Sequence, residues 1–335
     1  MYKAQVFVLI LFLFGNLSVK GQKLNHRFIK RYPHSINSKV YIGAKTNEFK
    51  IEDNVAKDAL NYKVAPAPRL GLGIAYRWFS LSGSLIKLNN SEEIKKGTTN
   101  QLDFQWNFYL RSITADLRVQ RYQGYFLKNS KTISNWEETN TKLYQRDDLI
   151  TSSFGGTVRY NFNYRKYSTR AIFSQTERQL KSAGSFSLGI RWNILNVISD
   201  SSIIPSKLIN NFEDFELNQL SFEDIGIGAG YGYTFVSGKW FLNIGAMGFI
   251  VNQNIQLTGG SEVDSERKNQ LNFQTFSAIG YANDNNYIGF TIVADQMYSN
   301  WKNNKDFIYT FSKTRFVLAK RFHIKPIVKE NEIWF

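Results

Sequence analysis

The chain has no cysteine, and only five prolines and three histidines occur among its 335 residues. Without cysteine there can be no disulfide, thiolate metal site, cysteine nucleophile or lipidated N-terminal cysteine. His26, His34 and His323 lie before the first or after the last candidate strand, and no G-x-S-x-G, H-E-x-x-H or P-loop motif is present. We therefore expect a protein that is not an enzyme, with no catalytic residue, metal site or cofactor.

Long apolar runs are also missing after the first residues. Ala4 to Phe14 is apolar except for Gln5 and follows Lys3, but it is roughly half of the ~20 residues that a spanning helix needs. It predicts a signal peptide over residues 1–21, with an uncleaved anchor as the alternative. A helical membrane protein is excluded. A β-barrel is not, because barrel strands hide their apolar residues in alternation.

That alternation is present, and residues 99–110 show it most clearly. One parity is apolar and the other is polar, so a strand here has one apolar and one polar face. The apolar set is Leu102, Phe104, Trp106, Phe108 and Leu110, and the polar set is Gln101, Asp103, Gln105, Asn107 and Tyr109. The pattern recurs along the chain and predicts an all-β fold, a transmembrane antiparallel up-and-down barrel in the outer membrane of a Gram-negative bacterium, reached after signal-peptide cleavage.

The strand count follows from the alternation of short and long connections. Residues 22–37 form a periplasmic lead-in, 38–322 the barrel and 323–335 a C-terminal tail. About 14 strands result if one more strand crosses near residues 201–209; 12 result if that strand is absent and half of the first hairpin lies outside the barrel. The predicted strands are 39–52, 61–77, 78–88, 99–110, 113–125, 150–163, 166–175, 184–196, 221–236, 239–256, 268–282, 286–298 and 307–322. Long external loops are predicted at Lys128–Asp148 and Thr258–Arg267.

Charged residues occupy the face that parity assigns to the lumen. A water-filled lumen of this composition would mildly favour anions. In the alternative, opposite charges pair and close the interior. The candidate lumen residues are Asp103, Asp116, Arg118, Arg159, Arg170, Arg191, Asp224, Asp295, Lys313, Arg315 and Arg321.

Four glycines, Gly226, Gly228, Gly230 and Gly232, repeat every second residue. A dinucleotide-binding loop needs its glycines at a strand-to-helix turn, and no helical pattern follows here. The row predicts either a smooth, strongly curved strand or a slot on the lumen wall in which a loop or ligand packs.

The net charge of +15 is spread over strands and loops, without a basic helix or arm. We expect contact with outer-membrane lipid and lipopolysaccharide and no nucleic-acid partner. The terminal Trp334-Phe335 resembles the signal that the barrel-assembly machinery reads during insertion; the alternative is a tail that packs under the barrel. No protein partner is indicated.

Four segments resemble a known family in order: Leu70–Trp78, Lys181–Phe186, Asp200–Pro205 and Gly228–Val236. The family is the uncharacterised outer-membrane β-barrel family catalogued as domain of unknown function 4421, and the likeness runs from about residue 30 to 322. It implies an outer-membrane barrel of Gram-negative bacteria of the Bacteroidetes type, without a known ligand or activity. Within the motif region, Glu177, Arg178 and Lys181 are candidates for a functional polar cluster, the alternative being an ordinary loop ion network.

The sequence leaves two functions open. The first is a passive pore or transport-related barrel with a mildly basic lumen. The second is a closed barrel with a structural or partner-binding role, similar to a receptor or adhesin, that uses its long external loops.

Overall fold

The fold is almost entirely antiparallel β-sheet. The computed structural model describes residues 24–55, 58–77, 79–88, 93–130, 142–205, 217–259, 262–301 and 305–324. Its strands are β1 Ile29–Arg31, β2 Ser35–Asp53, β3 Asp58–Lys63, β4 Arg69–Tyr76, β5 Phe79–Lys87, β6 Asn100–Tyr109, β7 Ile113–Leu127, β8 Gln145–Asn161, β9 Glu177–Gln179, β10 Ala183–Ile198, β11 Gln219–Ser237, β12 Trp240–Gly259, β13 Glu262–Ala282, β14 Asn286–Trp301 and β15 Lys305–His323. Two helical turns, α1 Glu93–Lys96 and α2 Thr169–Phe173, complete the described elements, and neither has the length or apolarity to cross a membrane.

Twelve strands close into a ring in the order β2-β4-β5-β6-β7-β8-β10-β11-β12-β13-β14-β15. The ring closes through β15 and β2, which pair along their whole length from His323–Ser35 to Lys305–Asp53. At one end β3 bridges β2 and β7 as an additional short strand. Every strand of the ring pairs with two neighbours, although β5 and β6 pair at only two rungs. The barrel prediction is confirmed with the smaller count of 12; the preferred count of 14 is wrong.

Four sequence predictions differ from the structure. The predicted strand 61–77 is broken between β3 and β4 by Pro66 and Pro68, which cannot donate to a ladder. Residues 166–175 form α2 and its flanking turns rather than a strand. Residues 201–205 are not a strand, and 206–216 lie outside the described residues. The predicted loop Thr258–Arg267 is largely strand, because β12 runs to Gly259 and β13 starts at Glu262.

The outer surface carries an apolar band at one height. On β11 the outward residues from Ile225 to Phe235 are apolar, apart from the hydroxyl groups of the tyrosines. On the neighbouring β12 the outward residues from Trp240 to Ile250 are apolar as well. Each stretch covers about eleven residues, which is the length a tilted strand needs to cross the hydrocarbon, ~9–11 residues. Aromatic side chains gather at the end of the band that carries most of the short turns, as at a membrane interface: Phe162, Phe186, Phe235, Trp240 and Phe322. We take this end as periplasmic.

Beyond the band the two faces of each strand exchange character. On β2, Val40 and Ile42 point outward, but Phe49 and Ile51 point inward and are fully buried. On β11, Glu223 is exposed whereas Phe222 is fully buried. The strands therefore continue past the membrane as a water-exposed barrel that encloses an apolar core. Ile203, Ile204 and Leu217 from the β10–β11 connection belong to that core, so side chains fill the interior at the external end.

The periplasmic end is filled by a plug, defined here as residues 25–34 and 162–182. Within it β1 pairs with β9, while α2 lies against the barrel strands. The Arg170 Nε donates to the Tyr109 carbonyl at 2.6 Å, and the Asn37 amide donates to the Ser174 carbonyl at 3.0 Å. The connection between neighbouring strands β8 and β10 thus folds back into the barrel mouth. The predicted signal peptide and Trp334-Phe335 lie outside the described residues.

Candidate functional site

A chain of buried ion pairs crosses the barrel interior. The Arg118 Nη2 lies 3.1 Å from the Asp295 Oδ2, and the Arg191 Nη1 lies 2.6 Å from the Asp295 Oδ1. The Arg191 Nε extends the chain to Asp224 at 3.9 Å, and Asn272 donates to that carboxylate at 3.2 Å. Because β7 and β14 stand on opposite sides of the ring, the Arg118–Asp295 pair spans the interior. The network braces the barrel from inside.

A second interior link ties β2 to β6. The Lys45 Nζ lies 2.7 Å from the Asp103 Oδ1. The other oxygen of Asp103 accepts hydrogen bonds from Gln120 at 2.9 Å and from the Tyr122 hydroxyl at 2.6 Å. Asp103 is thereby neutralised and fully engaged. These two sets of contacts account for most of the acidic charge that parity predicted for the lumen.

Between the external core and the plug lies a polar cavity of ≈ 100 Å³. That volume has room for several waters, or for one carboxylate or phosphate group. Of the charged side chains in its lining, only Asp116 is acidic, and the basic ones are Lys39, Arg118, Arg159, Lys313 and Arg315. The remaining lining includes the aromatic rings of Tyr41, Tyr109, Phe173, Phe276 and Phe311. The cavity therefore combines an excess of positive charge with an apolar wall.

The barrel wall beside this cavity is interrupted. β5 and β6 pair at only two rungs, Phe79–Phe108 and Ser80–Asn107. Beyond them, within the described residues, the facing edges of 81–87 and 100–106 have no ladder partner. Toward the external end the gap is closed, since Thr99 Oγ1 accepts from the Ala65 amide at 3.0 Å. We call the gap between 81–87 and 101–106 the side window.

The side window faces the membrane and leads to the cavity. Outward residues on β6 at this height are Leu102, Phe104 and Trp106, all half exposed on the apolar band. On the inner side, Ser82 of β5 and Gln105 of β6 both line the cavity. Unpaired strand edges are tolerated at membrane depth only where they are covered by protein or border a water-filled cavity. The gap and the cavity are thus parts of one feature.

The strand-borne candidates all point into the interior, but they have different partners. Asp116, Arg118, Arg191, Asp224 and Asp295 belong to the ion-pair chain, and Asp103 pairs with Lys45. Arg159, Lys313 and Arg315 line the cavity, whereas Arg321 donates to the Gln175 and Asn283 carbonyls and so holds the plug. Arg170 is buried too, although it lies on α2 and not on the predicted strand.

Glu177, Arg178 and Lys181 lie in the plug and do not form one cluster. Glu177 is buried, accepts from the Ser168 hydroxyl at 2.6 Å and pairs with Arg170 at 3.6 Å. Arg178 pairs with Asp284 at 3.4 Å, and Lys181 lies over the Phe28 ring. Each therefore fastens a different part of the plug.

Asp284, in the β13–β14 turn, receives three donors from the plug. The Lys30 Nζ donates at 2.7 Å, the Tyr32 hydroxyl at 2.9 Å, and Arg178 lies at 3.4 Å. The hydrogen bond from Lys30, helped by Tyr32 and Arg178, holds the pKa of Asp284 below its usual range. Burial raises the pKa of Tyr32 to about 12, so its hydroxyl keeps its proton at neutral pH. We call these contacts the latch.

We expect Asp284→Asn to loosen the plug. Amide hydrogen exchange in residues 165–182 should rise up to about fivefold at neutral pH, because half-exposed ion pairs contribute about 0–1 kcal/mol. A depressed carboxylate pKa stabilises the folded state above the ordinary aspartate pKa, ~3.9, and this contribution disappears as the pH falls through the lowered value. The two proteins should therefore converge in acid. The exposed Asp147→Asn is the control, and equal exchange at neutral pH would refute the latch.

The sequence does not single out Lys39, Lys45, Ser80 and Ser82, which the structure places in the interior. On β2, the two lysines share the parity of Tyr41, opposite Val40 and Ile42. That parity could have identified them, but the inverted pattern from Phe49 onward obscures it. Ser80 and Ser82 carry no charge, and their importance comes only from the missing β5–β6 rungs.

Comparison with known proteins identifies the family of this chain and finds solved outer-membrane proteins with a similar fold. The family model described as domain of unknown function (DUF4421) matches residues 24–322. No curated protein matches the chain. Among solved structures, 94 chains match, and the outer-membrane protease OmpT from Escherichia coli is one of them. It has 9% identity and a TM-score of 0.42, covering 88% of this chain and 98% of its own.

Two further similar structures are also outer-membrane proteins. The translocator domain of the autotransporter NalP from Neisseria meningitidis has 8% identity and a TM-score of 0.34, with 96% of both chains covered. The toluene transporter TbuX from Ralstonia pickettii has 8% identity and a TM-score of 0.29, covering 85% of this chain and 90% of its own. At these values no activity or ligand is transferred to this chain.

Proposed function

The chain belongs to the DUF4421 family and is an outer-membrane β-barrel, and from this premise we propose that it is a transport-related barrel that admits its ligand sideways from the membrane. The side window carries the proposal, because it joins the lipid-facing surface to the central cavity. The filled ends of the interior argue against the passive pore that the lumen charges suggested. Diffusion along the barrel axis is no part of this proposal.

The strands on one side of the side window, β4 and β5, carry small inward residues. The inward residues of β5 are Ser80, Ser82 and Ser84, and β4 opposes them with Ala75, Gly73 and Gly71. The Tyr41 ring fills the room inside Gly71 and Ser84, whereas Ser80 and Ser82 line the cavity. The large inward side chains lie on other strands, such as Phe276 on β13 and Phe311 on β15. The asymmetry supports a passage at this one side of the barrel.

The proposal assigns no catalytic role. His34 and His323 lie where β2 starts and β15 ends, at the periplasmic rim, and His26 lies in the plug segment. None of the three lines the cavity.

Photocrosslinking at the side window tests the proposal. A benzophenone amino acid in place of Ser82 should yield protein–lipid adducts in the native membrane, detected by mass spectrometry. The same group in place of Leu188, on the lipid-facing surface, should also yield adducts. In place of Thr157, which is fully buried on β8, it should yield none. Adducts at position 188 but not at position 82 would mean that lipid does not reach the window and would refute the proposal.

A further inference from the structure

The cavity lining carries cations that the protein itself does not neutralise. Among the described residues, no carboxylate forms an ion pair with Lys39, Arg159, Lys313 or Arg315. Their polar contacts are neutral ones: Lys313 donates to the Gln105 amide oxygen at 2.7 Å, and Arg159 to the Gln274 amide oxygen at 3.3 Å. Lys39 and Arg159 are buried and Lys313 and Arg315 are partly buried, and charges held there without a counter-ion are unfavourable. An anion in the cavity would remove this imbalance.

The side chains of these cations line the space that such an anion would occupy. The Arg315 guanidinium lies 4.3 Å from the centre of the Tyr41 ring, and its Nη1 is 3.4 Å from the Ser82 hydroxyl. The Arg159 side chain is buried over the Phe276 ring, and its Nε has no hydrogen-bond partner. Lys39 reaches the same cavity from β2. Four charges from three separate strands, β2, β8 and β15, thus converge on one small space.

The site also has apolar surface, part of which lies beneath the cations, since Arg159 lies over the Phe276 ring and Arg118 over the Phe311 ring. Phe173, Phe276 and Phe311 form one wall of the cavity, and Phe104 and Trp106 flank the side window on the lipid side. A ligand that entered through the window would keep an apolar part in contact with Phe104, Trp106 and lipid. Its polar end would meet the cations. A purely polar anion would gain nothing from the window.

We propose that the cavity binds the anionic head, a carboxylate or phosphate group, of an acyl-chain amphiphile whose chain remains in the side window. This deepens the proposed function and rests on its sideways access. A cavity of ≈ 100 Å³ accommodates a head group of this size. The positive charge of the cavity favours an anionic head group, and the side window favours a ligand that carries an acyl chain.

Binding of defined amphiphiles to the folded protein in phosphatidylcholine nanodiscs tests this inference. The probe is stearate with a nitroxide at its methyl end, observed through quenching of tryptophan fluorescence. Its methyl ester, lysophosphatidic acid and inorganic phosphate serve as comparisons. Stearate or lysophosphatidic acid should bind at least about tenfold more tightly than the ester, because each charge-assisted contact is worth that much or more. Whichever of the two binds better identifies the head.

The variants Lys313→Gln and Arg315→Gln, combined, remove two cavity charges. They should weaken binding of the acid about tenfold or more, while Lys320→Gln, on the outward face of the same strand, should leave it unchanged. Heat-modifiable gel migration reports folding, and Lys313→Gln alone replaces the pair if the double variant does not fold. Equal binding of acid and ester would overturn the inference. So would inorganic phosphate binding as tightly as the amphiphile, which would mean an anion site reached from water.

The proposed function and this inference can fail separately. Lipid adducts at position 82 together with equal binding of acid and ester would retain the sideways access and refute the anionic head. Absence of adducts at position 82 would refute the access itself.

Discussion

Replacing Asp295 by alanine is expected to destabilise the barrel by about 3–5 kcal/mol, the range for removing one partner of a buried ion pair. Asp295 is the only carboxylate that contacts both Arg118 and Arg191 among the described residues. Its loss leaves two guanidinium groups buried with too little negative charge nearby. The free energy of unfolding can be measured by urea titration in lipid vesicles, with tryptophan fluorescence as the signal.

The same experiment separates the ion-pair chain from a general loss of charge. Asp147→Asn, on the exposed face of β8, should change the free energy of unfolding by less than about 0.5 kcal/mol. Combining Asp295→Ala with Arg191→Met should recover part of the loss, because one uncompensated charge is then removed as well. An Asp295→Ala protein as stable as the wild type would show that the chain does not brace the barrel.

Gly228→Val is expected to destabilise the barrel by about 3 kcal/mol or more, since overpacking a tight site costs typically 1–3 kcal/mol and occasionally more. A β-carbon at Gly228 would collide with the Phe249 ring and with the Gly248 carbonyl. The neighbouring Gly226 and Gly230 give the same room to Val251 and Met247. The space along the glycine row is thus occupied by side chains of β12 at these three glycines, and by Tyr167 and Phe276 at Gly232. Fluorescence-monitored unfolding measures the loss.

Gly248→Val is the matched control on the facing strand. Gly248 is opposite Ala229, the residue after Gly228, in the β11–β12 ladder. It points outward, and an added β-carbon there meets only the Phe273 ring at ordinary contact distance, 3.7 Å. The substitution should be neutral, or slightly stabilising because valine favours strands. If both variants unfold at the same denaturant concentration, close packing across the glycine row is not what the fold requires.

Alternation predicted most of the ring because each strand in the membrane separates lipid from interior. On β7, Leu117 and Val119 point outward and Asp116 and Arg118 point inward, as their parity indicates. The same rule reverses where strands leave the membrane, since the outside is then water and the inside is an apolar core. Phe49 shares the inward parity of Lys45 although the two differ in polarity. One alternation of apolar and polar residues therefore could not assign the inward side chains both within the membrane and beyond it.

The plug and the side window were not predictable from local sequence. Residues 167–172 are buried inside the barrel mouth, so polar and apolar side chains of α2 are enclosed alike and no apolar face marks the helix in the sequence. The side window depends on which rungs form between β5 and β6, and the alternation of each strand alone would fit full pairing equally well. Both features arise from tertiary contacts between segments that are far apart in the chain or only partly paired.

The central claim is that the interior is reached from the membrane and not along the barrel axis. Because the chain has no cysteine, Ser82→Cys can carry a single nitroxide, with Leu188→Cys and Thr157→Cys as references. The most direct measurement is the collision of each nitroxide with oxygen, which dissolves in lipid, and with a water-soluble nickel chelate. We predict that position 82 collides with oxygen nearly as often as position 188 and is shielded from the chelate. Shielding from both reagents, as at position 157, or access to the chelate alone would contradict the account.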